Sequence, residues 1–194
     1  MVKVNNAWSA FAQAVDYPAP SLDVALEALV EACSATLPDA ATEFQCFRDE
    51  CTRLGIARME ELYTATFDFE TDSSPYVGYQ LFGEDPRRSQ FMAQLKQRFV
   101  EHGLDPGVEL PDHLASIFRL LAAVPEGEEA DEIVADCLVP ALDKMHGALE
   151  GKSTPYAGLL RGVSVVLEEQ AKSASARRDV TCRPFSLSSS PTSR

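Results

Sequence analysis

The residues that look most like acid–base machinery are Asp112 and His113, a carboxylate directly followed by an imidazole. A catalytic dyad needs the two side chains to face each other, because the acid must orient the ring that carries the proton. Neighbouring residues at the start of a helix point in different directions. The pair is therefore a poor dyad, and we predict no catalytic residue in this chain.

The other residues that could bind metal are too widely spaced for a site. Zinc usually takes paired Cys or His at short spacing, whereas the histidines stand alone and no Cys-x-x-Cys pair occurs. An odd number of cysteines is typical of reduced core thiols and not of a disulfide framework. Neither Gly-x-Gly-x-x-Gly nor a P-loop is present. We expect no metal and no cofactor. The residues considered are His102, His113, His146, Cys33, Cys46, Cys51, Cys137 and Cys182.

The charge of the chain is strongly acidic. Its 194 residues carry a net charge of −13, and residues 1–170 alone hold 29 acidic and 12 basic residues, a net charge of −17. Such a body repels nucleic-acid phosphates and anionic lipid, and it attracts a basic partner. The N-terminus lacks the apolar run of a signal peptide, and no stretch is long enough to span a bilayer. We expect a cytoplasmic protein that binds no nucleic acid and does not insert into membranes.

Helical periodicity runs through the whole body of the chain. Apolar residues recur at spacings of three and four, Gly and Pro separate the periodic segments, and no segment alternates like a strand. Tyr63 and Phe67, four residues apart, are predicted to pack in the core. Gly78 and Gly83 are predicted to serve close packing or a turn. The pattern predicts one all-α globular bundle of about eight or nine helices.

The sequence predicts two helix starts, one at Asp85 and one at Asp112. Asp85 caps a helix with Pro86 at its first position, and Asp112 caps the next helix after Pro111, a contribution of about 1 kcal/mol. Without another role, His113 would be an ordinary surface residue. Further on, one long helix from about residue 128 to residue 149 should kink at Pro140.

The chain divides into a helical body and a tail. The last helix begins at Pro155 and should end near Lys172, so we predict an all-helical domain at 1–172 and a flexible Ser/Arg/Pro-rich tail at 173–194. The polar segment 70–74 could serve as a hinge for domain swapping. Both monomer and dimer stay open.

Several segments together resemble a known family. They are ELYTATFDF (61–69), SPYVGYQLFGE (74–84), Arg87-Arg88 and ELPDHL (109–114). In this order, and with the early Tyr17-Pro18 step, they resemble the NarJ branch of the TorD/DmsD/NarJ family of molybdoenzyme maturation chaperones. The resemblance covers about residues 8–125.

The resemblance implies an all-α chaperone. Such a protein binds the N-terminal leader or leader-like peptide of a molybdenum-containing oxidoreductase catalytic subunit and holds the apo-enzyme. It assists cofactor insertion and assembly before export or membrane attachment. Whether the leader is a functional twin-arginine signal or a vestige stays open, as does the client, of which nitrate reductase is one candidate.

The resemblance also implicates Asp112 and His113 in peptide binding. A leader is basic at one end and apolar along a helix, so its receptor needs carboxylates beside a hydrophobic groove. The acidic body supplies the charge, to which Glu109 adds. The segment 76–82 holds more large apolar side chains than one short helix can bury on one face. The predicted peptide-binding residues are Tyr76, Tyr79, Phe82, Glu109, Asp112 and His113.

Arg87 and Arg88 are predicted to contact the client. They fall in the first turn of a helix, where the macrodipole disfavours cations, so an outside acidic partner would explain them. An ion pair with Glu84 or Asp85 is the alternative. Two other functions are also open: a general helical adaptor with an acidic docking surface, and an enzyme using His113 with Asp112. The enzyme would need an apolar pocket around His113 and a second buried acid.

Overall fold

The computed structural model describes residues 7–105 and 107–181, with side chains described as far as Arg177. Within these ranges the fold is entirely helical, and its only β-type pairing is one isolated bridge. The helices are α1 (Trp8–Ala14), α2 (Leu22–Cys33), α3 (Pro38–Leu54), α4 (Ile56–Tyr63), α5 (Val77–Phe82), α6 (Arg87–Glu101), α7 (Leu114–Ala123), α8 (Glu128–Glu132), α9 (Val139–Leu149) and α10 (Pro155–Thr181). The all-α prediction is confirmed.

Two π-helical turns extend these helices. Thr64–Asp68 continues α4, and Ile133–Leu138 joins α8 to α9 without a break. Counted as continuous rods, the described residues therefore contain nine helices, which confirms the predicted eight or nine. The sequence predicts a kink at Pro140, and the structure has the second π turn just before this residue. Because Pro140 has no N–H to donate to the preceding turn, the regular α-helical hydrogen bonding is interrupted there.

Aromatic side chains fill the core at two places. In one, Trp8 and Phe11 of α1 stack on Phe118 of α7, with ring centroids 5.9 and 5.4 Å apart. In the other, Tyr63 and Phe67 contact Tyr156 of α10 at 5.7 and 5.2 Å. Tyr63 and Phe67 are each 4% exposed, so their predicted place in the core is confirmed.

The last helix is longer than the sequence predicts. The prediction ended it near Lys172, whereas α10 continues to Thr181. Ala174 is buried there, and Arg177 donates a hydrogen bond to the buried Asp131 at 2.6 Å. These contacts stabilise the end of the helix, and the polar composition of the segment did not predict them. Residues 182–194, the rest of the predicted tail, lie outside the described residues.

The segment predicted as a hinge is a tethered turn. Ser73, within the 3₁₀ turn Thr71–Ser73, is fully buried and donates to the carbonyl of Thr66. The side-chain amide of Gln80 donates to the carbonyls of Asp72 and Ser74 at 3.1 and 2.9 Å. In this structure the backbone between α4 and α5 is fixed by its own hydrogen bonds.

The cysteines of the described residues are free thiols. They are Cys33, Cys46, Cys51 and Cys137, and Cys182 falls outside the described ranges. Among the helices described, none combines the length and the apolar character needed to cross a membrane.

Candidate functional site

A backbone bridge joins the two segments that the sequence singled out. The N–H of Val77 donates to the carbonyl of Asp112 at 2.8 Å, and the N–H of Leu114 donates to the carbonyl of Pro75 at 2.8 Å. Tyr76 and His113 form the antiparallel pair between them. The start of α5 and the start of α7 are thereby held side by side, although α6 separates them in the chain.

The bridge brings several predicted residues together. The Tyr76 ring packs edge-on against the His113 ring, with centroids 5.4 Å apart. The Tyr76 hydroxyl donates to Glu109 Oε2 at 3.2 Å. Phe82, in contrast, lies at the far end of α5, where its ring contacts Phe91 at 5.7 Å and the Arg87 guanidinium at 5.5 Å. Phe82 thus packs on α6.

Asp112 does not cap α7, and that prediction is wrong. Its side chain is fully buried, and Oδ2 accepts a hydrogen bond from Arg88 Nε at 2.8 Å. Its other oxygen, Oδ1, is buried without a hydrogen-bond partner. The capping side chain is His113, whose Nδ1 accepts from the N–H of Ala115 at 3.2 Å.

His113 is buried, against the expectation of an ordinary surface residue. It is 3% exposed, and Nε2 lies 3.5 Å from the Tyr63 hydroxyl. Because Nδ1 accepts the capping bond, the proton of the neutral ring belongs on Nε2, facing that hydroxyl. Burial lowers the pKa of His113, although nearby carboxylates, Asp16 and Glu109 first, oppose the shift.

Acidification should therefore destabilise the fold through His113. Its ordinary pKa is 6.5 and the folded value is lower, so below that pH the unfolded chain takes up a proton that the folded chain resists. The free energy of unfolding should fall as pH drops, by at most about 1.4 kcal/mol per pH unit. Urea denaturation at about pH 7.5 and about pH 5.5 measures the change.

The matched variant is His113→Asn, which keeps a capping acceptor but does not titrate. It should lose less stability than the wild type over the same pH interval. An equal loss in the two proteins would assign the acid sensitivity to other groups.

Arg88 has an internal partner that the sequence did not reveal. Besides pairing with Asp112, its guanidinium lies over the Tyr76 and Tyr79 rings, 5.5 and 5.7 Å from their centroids. Arg87 pairs with Asp85, as the alternative interpretation had it, at 3.1 Å. The only sequence signal for the Arg88 contact was an arginine in the first turn of a helix.

The outer face of the bridge combines exposed apolar side chains with carboxylates. Tyr17 and Leu110 are 49% and 45% exposed. Tyr17 packs against Tyr63 with ring centroids 5.4 Å apart, and the Leu110 carbonyl accepts from the N–H of His113. We call the surface formed by Tyr17, Tyr76, Glu109 and Leu110 the bridge surface.

Three carboxylates act on the tyrosines of this region. After burial, the negative charges of Asp16, Asp68 and Glu109 raise the pKa of Tyr63. The pKa of Tyr76 is raised by burial, by Glu109 and, more weakly, by Asp68. Asp16 is itself paired with Arg119 at 2.9 Å. Sequence reasoning found Glu109 but missed Asp16, Asp68 and the exposed Leu110.

The geometry offers little for acid–base catalysis. One ring nitrogen of His113 accepts the helix cap and the other faces Tyr63, while Asp112 is paired with Arg88. In the part of the chain that the structure describes, no three His, Cys, Asp or Glu residues are grouped to hold a metal ion. The arrangement suits a binding surface better than a reaction centre.

Comparison with known proteins identifies relatives. The family model described as "Nitrate reductase delta subunit" matches residues 16–160, which include the bridge surface and the Arg88–Asp112 pair. The nitrate reductase molybdenum cofactor assembly chaperone NarJ of Escherichia coli K12 is 29% identical over 149 residues, 75% of this chain and 62% of the relative. NarJ of Escherichia coli O157:H7 matches to the same extent. The match thus spans less than two thirds of the length of these curated relatives.

Proposed function

Because the chain belongs to the nitrate reductase delta subunit family, we propose that it is a maturation chaperone for a molybdenum-containing oxidoreductase. In this role it binds the N-terminal leader or leader-like peptide of the catalytic subunit in the cytoplasm. It keeps the apo-enzyme available for cofactor insertion and assembly before export or membrane attachment. The protein performs no catalysis itself.

The observation that carries this proposal is the bridge surface. A leader peptide presents a basic end and an apolar helical face. The bridge surface offers the exposed side chains of Tyr17 and Leu110 beside the carboxylate of Glu109, which the Tyr76 hydroxyl contacts. Charge and apolar character are thus complementary to those of a leader.

The predicted binding residues take different parts in this proposal. Tyr76 and Glu109 lie on the bridge surface and contact the peptide, and Tyr79 and Phe82 extend the apolar contact along α5. Asp112 and His113 support the bridge surface from the protein interior, since they are 0% and 3% exposed.

Arg87 is the arginine proposed to meet an acidic group of the client. Its side chain is 65% exposed, and its pairing with the half-exposed Asp85 leaves it accessible to solvent. An exposed ion pair of this kind contributes little to stability, so Arg87 can exchange partners easily.

Calorimetric titration tests the proposal directly. Synthetic peptides of about 30 residues, copied from the N-termini of the molybdopterin oxidoreductase catalytic subunits of the same organism, are titrated into the full chain. Binding should release heat and weaken as salt rises. No binding by any of them would refute the proposal. Equal binding of scrambled peptides would favour the general adaptor instead.

Removal of one carboxylate should weaken that binding. Glu109→Gln is expected to reduce affinity by about three- to tenfold, because one charge-assisted contact to a basic side chain is lost. Titration of the variant with the same peptide measures the change.

The control for Glu109→Gln is Glu126→Gln, which removes an equal charge. Glu126 follows α7, whose ten residues place its two ends about 15 Å apart, so the control lies away from the bridge surface. The proposed role of Glu109 fails if the two variants bind equally well.

A further inference from the structure

The two members of the Arg88–Asp112 pair differ in burial, because the acid is buried and the base is partly exposed. The Asp112 side chain is 0% exposed, whereas the Arg88 side chain is 24% exposed. Gly78 lies directly beside the acid, since a Cβ there would meet Asp112 Oδ2 at 2.7 Å. Arg88 is thus the member of the pair that faces solvent.

The surroundings of the space that Arg88 occupies suit a guanidinium group. Tyr76 and Tyr79 present their ring faces to it at 5.5 and 5.7 Å, and a carboxylate closes its inner end. Planar guanidinium stacks on aromatic rings and can bond both oxygens of a carboxylate at once, which an ammonium group cannot do. We call the space bounded by Tyr76, Tyr79, Gly78 and Asp112 the arginine receptacle.

Arg88 fills the receptacle incompletely. It bonds only Oδ2 of Asp112, through Nε, and leaves Oδ1 buried without a partner. A buried acceptor without a hydrogen bond is costly, because it has lost water and gained nothing in exchange. An arginine approaching at a different angle could satisfy both oxygens.

The half of α6 that carries Arg88 adds little to the core. Only Leu95 and Phe99 of the fifteen residues in α6 are buried, and both lie in its second half. Arg88 sits in the first turn, where the helix macrodipole disfavours a positive charge. Rotation of Arg88 to solvent therefore disturbs little of the core packing, provided that another cation takes its place at Asp112.

We propose that Arg88 is an internal stand-in for an arginine of the bound peptide. When the peptide binds, its arginine replaces Arg88 between Tyr76 and Tyr79 and pairs with Asp112, and Arg88 turns out to solvent. This inference rests on the proposed function and adds a specificity for arginine over lysine. It also makes peptide binding competitive with an intramolecular contact, which lowers the apparent affinity.

The exchange can be followed in the wild-type protein by nitrogen-15 NMR of arginine side chains. The Arg88 Nε–H, bonded to a buried carboxylate, should give a slowly exchanging resonance that is missing in Arg88→Gln. A leader peptide that contains arginine should remove this resonance at saturation. The same peptide with citrulline in place of arginine, which is neutral but similar in shape, should leave the resonance unchanged. A resonance that persists while the arginine peptide is bound would overturn the inference.

The affinity of the Arg88→Gln variant for the peptide gives a second test. The proposal and a purely structural role for Arg88 predict changes in opposite directions. Arg88→Gln removes the competitor and should strengthen binding of the arginine peptide by about tenfold, without strengthening binding of the citrulline peptide. Weaker binding by the variant would show that Arg88 only supports the fold. Arg98→Gln is the matched control, because Arg98 lies on the same helix, is 32% exposed and also pairs with an acid, Glu132. Its affinity should not change.

The two levels of the proposal fail differently. If no leader peptide binds the wild-type protein, the proposed function is wrong, and the inference falls with it. If the arginine and citrulline peptides bind equally well and the Arg88 resonance is unmoved, only the inference is wrong.

Discussion

Replacing Arg88 with methionine should lower the free energy of unfolding by about 3 kcal/mol. The substitution keeps most of the apolar stem but leaves the fully buried carboxylate of Asp112 without its countercharge. A buried charge without a partner is among the most destabilising changes a single mutation can make. Urea denaturation followed by circular dichroism measures the loss as a lower midpoint at unchanged slope.

Two variants isolate the reason for that loss. Arg98→Met removes an arginine from the same helix, but its partners Glu129 and Glu132 are 36% and 46% exposed and can be solvated, so the loss should be clearly smaller. Adding Asp112→Asn to Arg88→Met should recover much of the stability, because no buried charge is left. Equal losses for Arg88→Met and Arg98→Met would contradict the importance of burial.

Gly78→Ala is expected to cost about 2 kcal/mol, the usual range for a side chain forced into a packed site. The new methyl would lie 2.7 Å from Asp112 Oδ2 and 3.0 Å from a carbon of the Phe91 ring. Both distances are too short for atoms that are not bonded, so α5 would have to move away from Asp112 or from α6. Thermal and urea denaturation show the change, and peptide affinity should fall with it because the receptacle is distorted.

Gly147→Ala in α9 provides the opposite case. Nothing lies within 4 Å of the position of its Cβ, and its φ is not positive. Alanine is favoured over glycine in a helix by up to about 1 kcal/mol, so this variant should be stabilised. If Gly78→Ala were also stabilised, the close approach seen around Gly78 would not be restrictive.

The helical fold could be predicted because its signals are local. The four-residue spacing of Tyr63 and Phe67 places both on one helix face, and both are buried as expected. The sequence predicts that Asp85 caps α6, but Pro86 occupies the cap position and the helix begins at Arg87, one residue later than predicted. The Asp85 Oδ1 still accepts a hydrogen bond from the N–H of Arg87 at 2.8 Å.

The start of α7 could not be predicted, because a contact distant in sequence decides it. Aspartate is a preferred helix cap and histidine is not, so local propensity selects Asp112. The backbone bridge to α5 and the pull of Arg88 draw Asp112 inward, and the cap moves to His113. The structure brings the predicted Tyr76, Glu109 and His113 together, but sequence reasoning assigned Asp112 and His113 the wrong environment.

The extent of α10 has a similar explanation. Residues 173–181 are polar, and periodicity is weak there. The helix persists because Arg177 reaches the buried Asp131, which precedes it by 46 residues. Such pairings depend on how helices pack and leave no trace in a window of neighbouring residues.

The backbone bridge between Tyr76 and His113 can form only after the start of α7 has been synthesised. Ribosomes deliver the chain from its N-terminus, so α5 and α6 emerge before the loop and the first turn of α7 that complete the surface. A nascent or truncated chain that lacks α7 carries Tyr76 and Tyr79 without His113, Asp112 or the loop carboxylate. Under the proposed function, the peptide-binding surface is therefore complete only in the finished bundle.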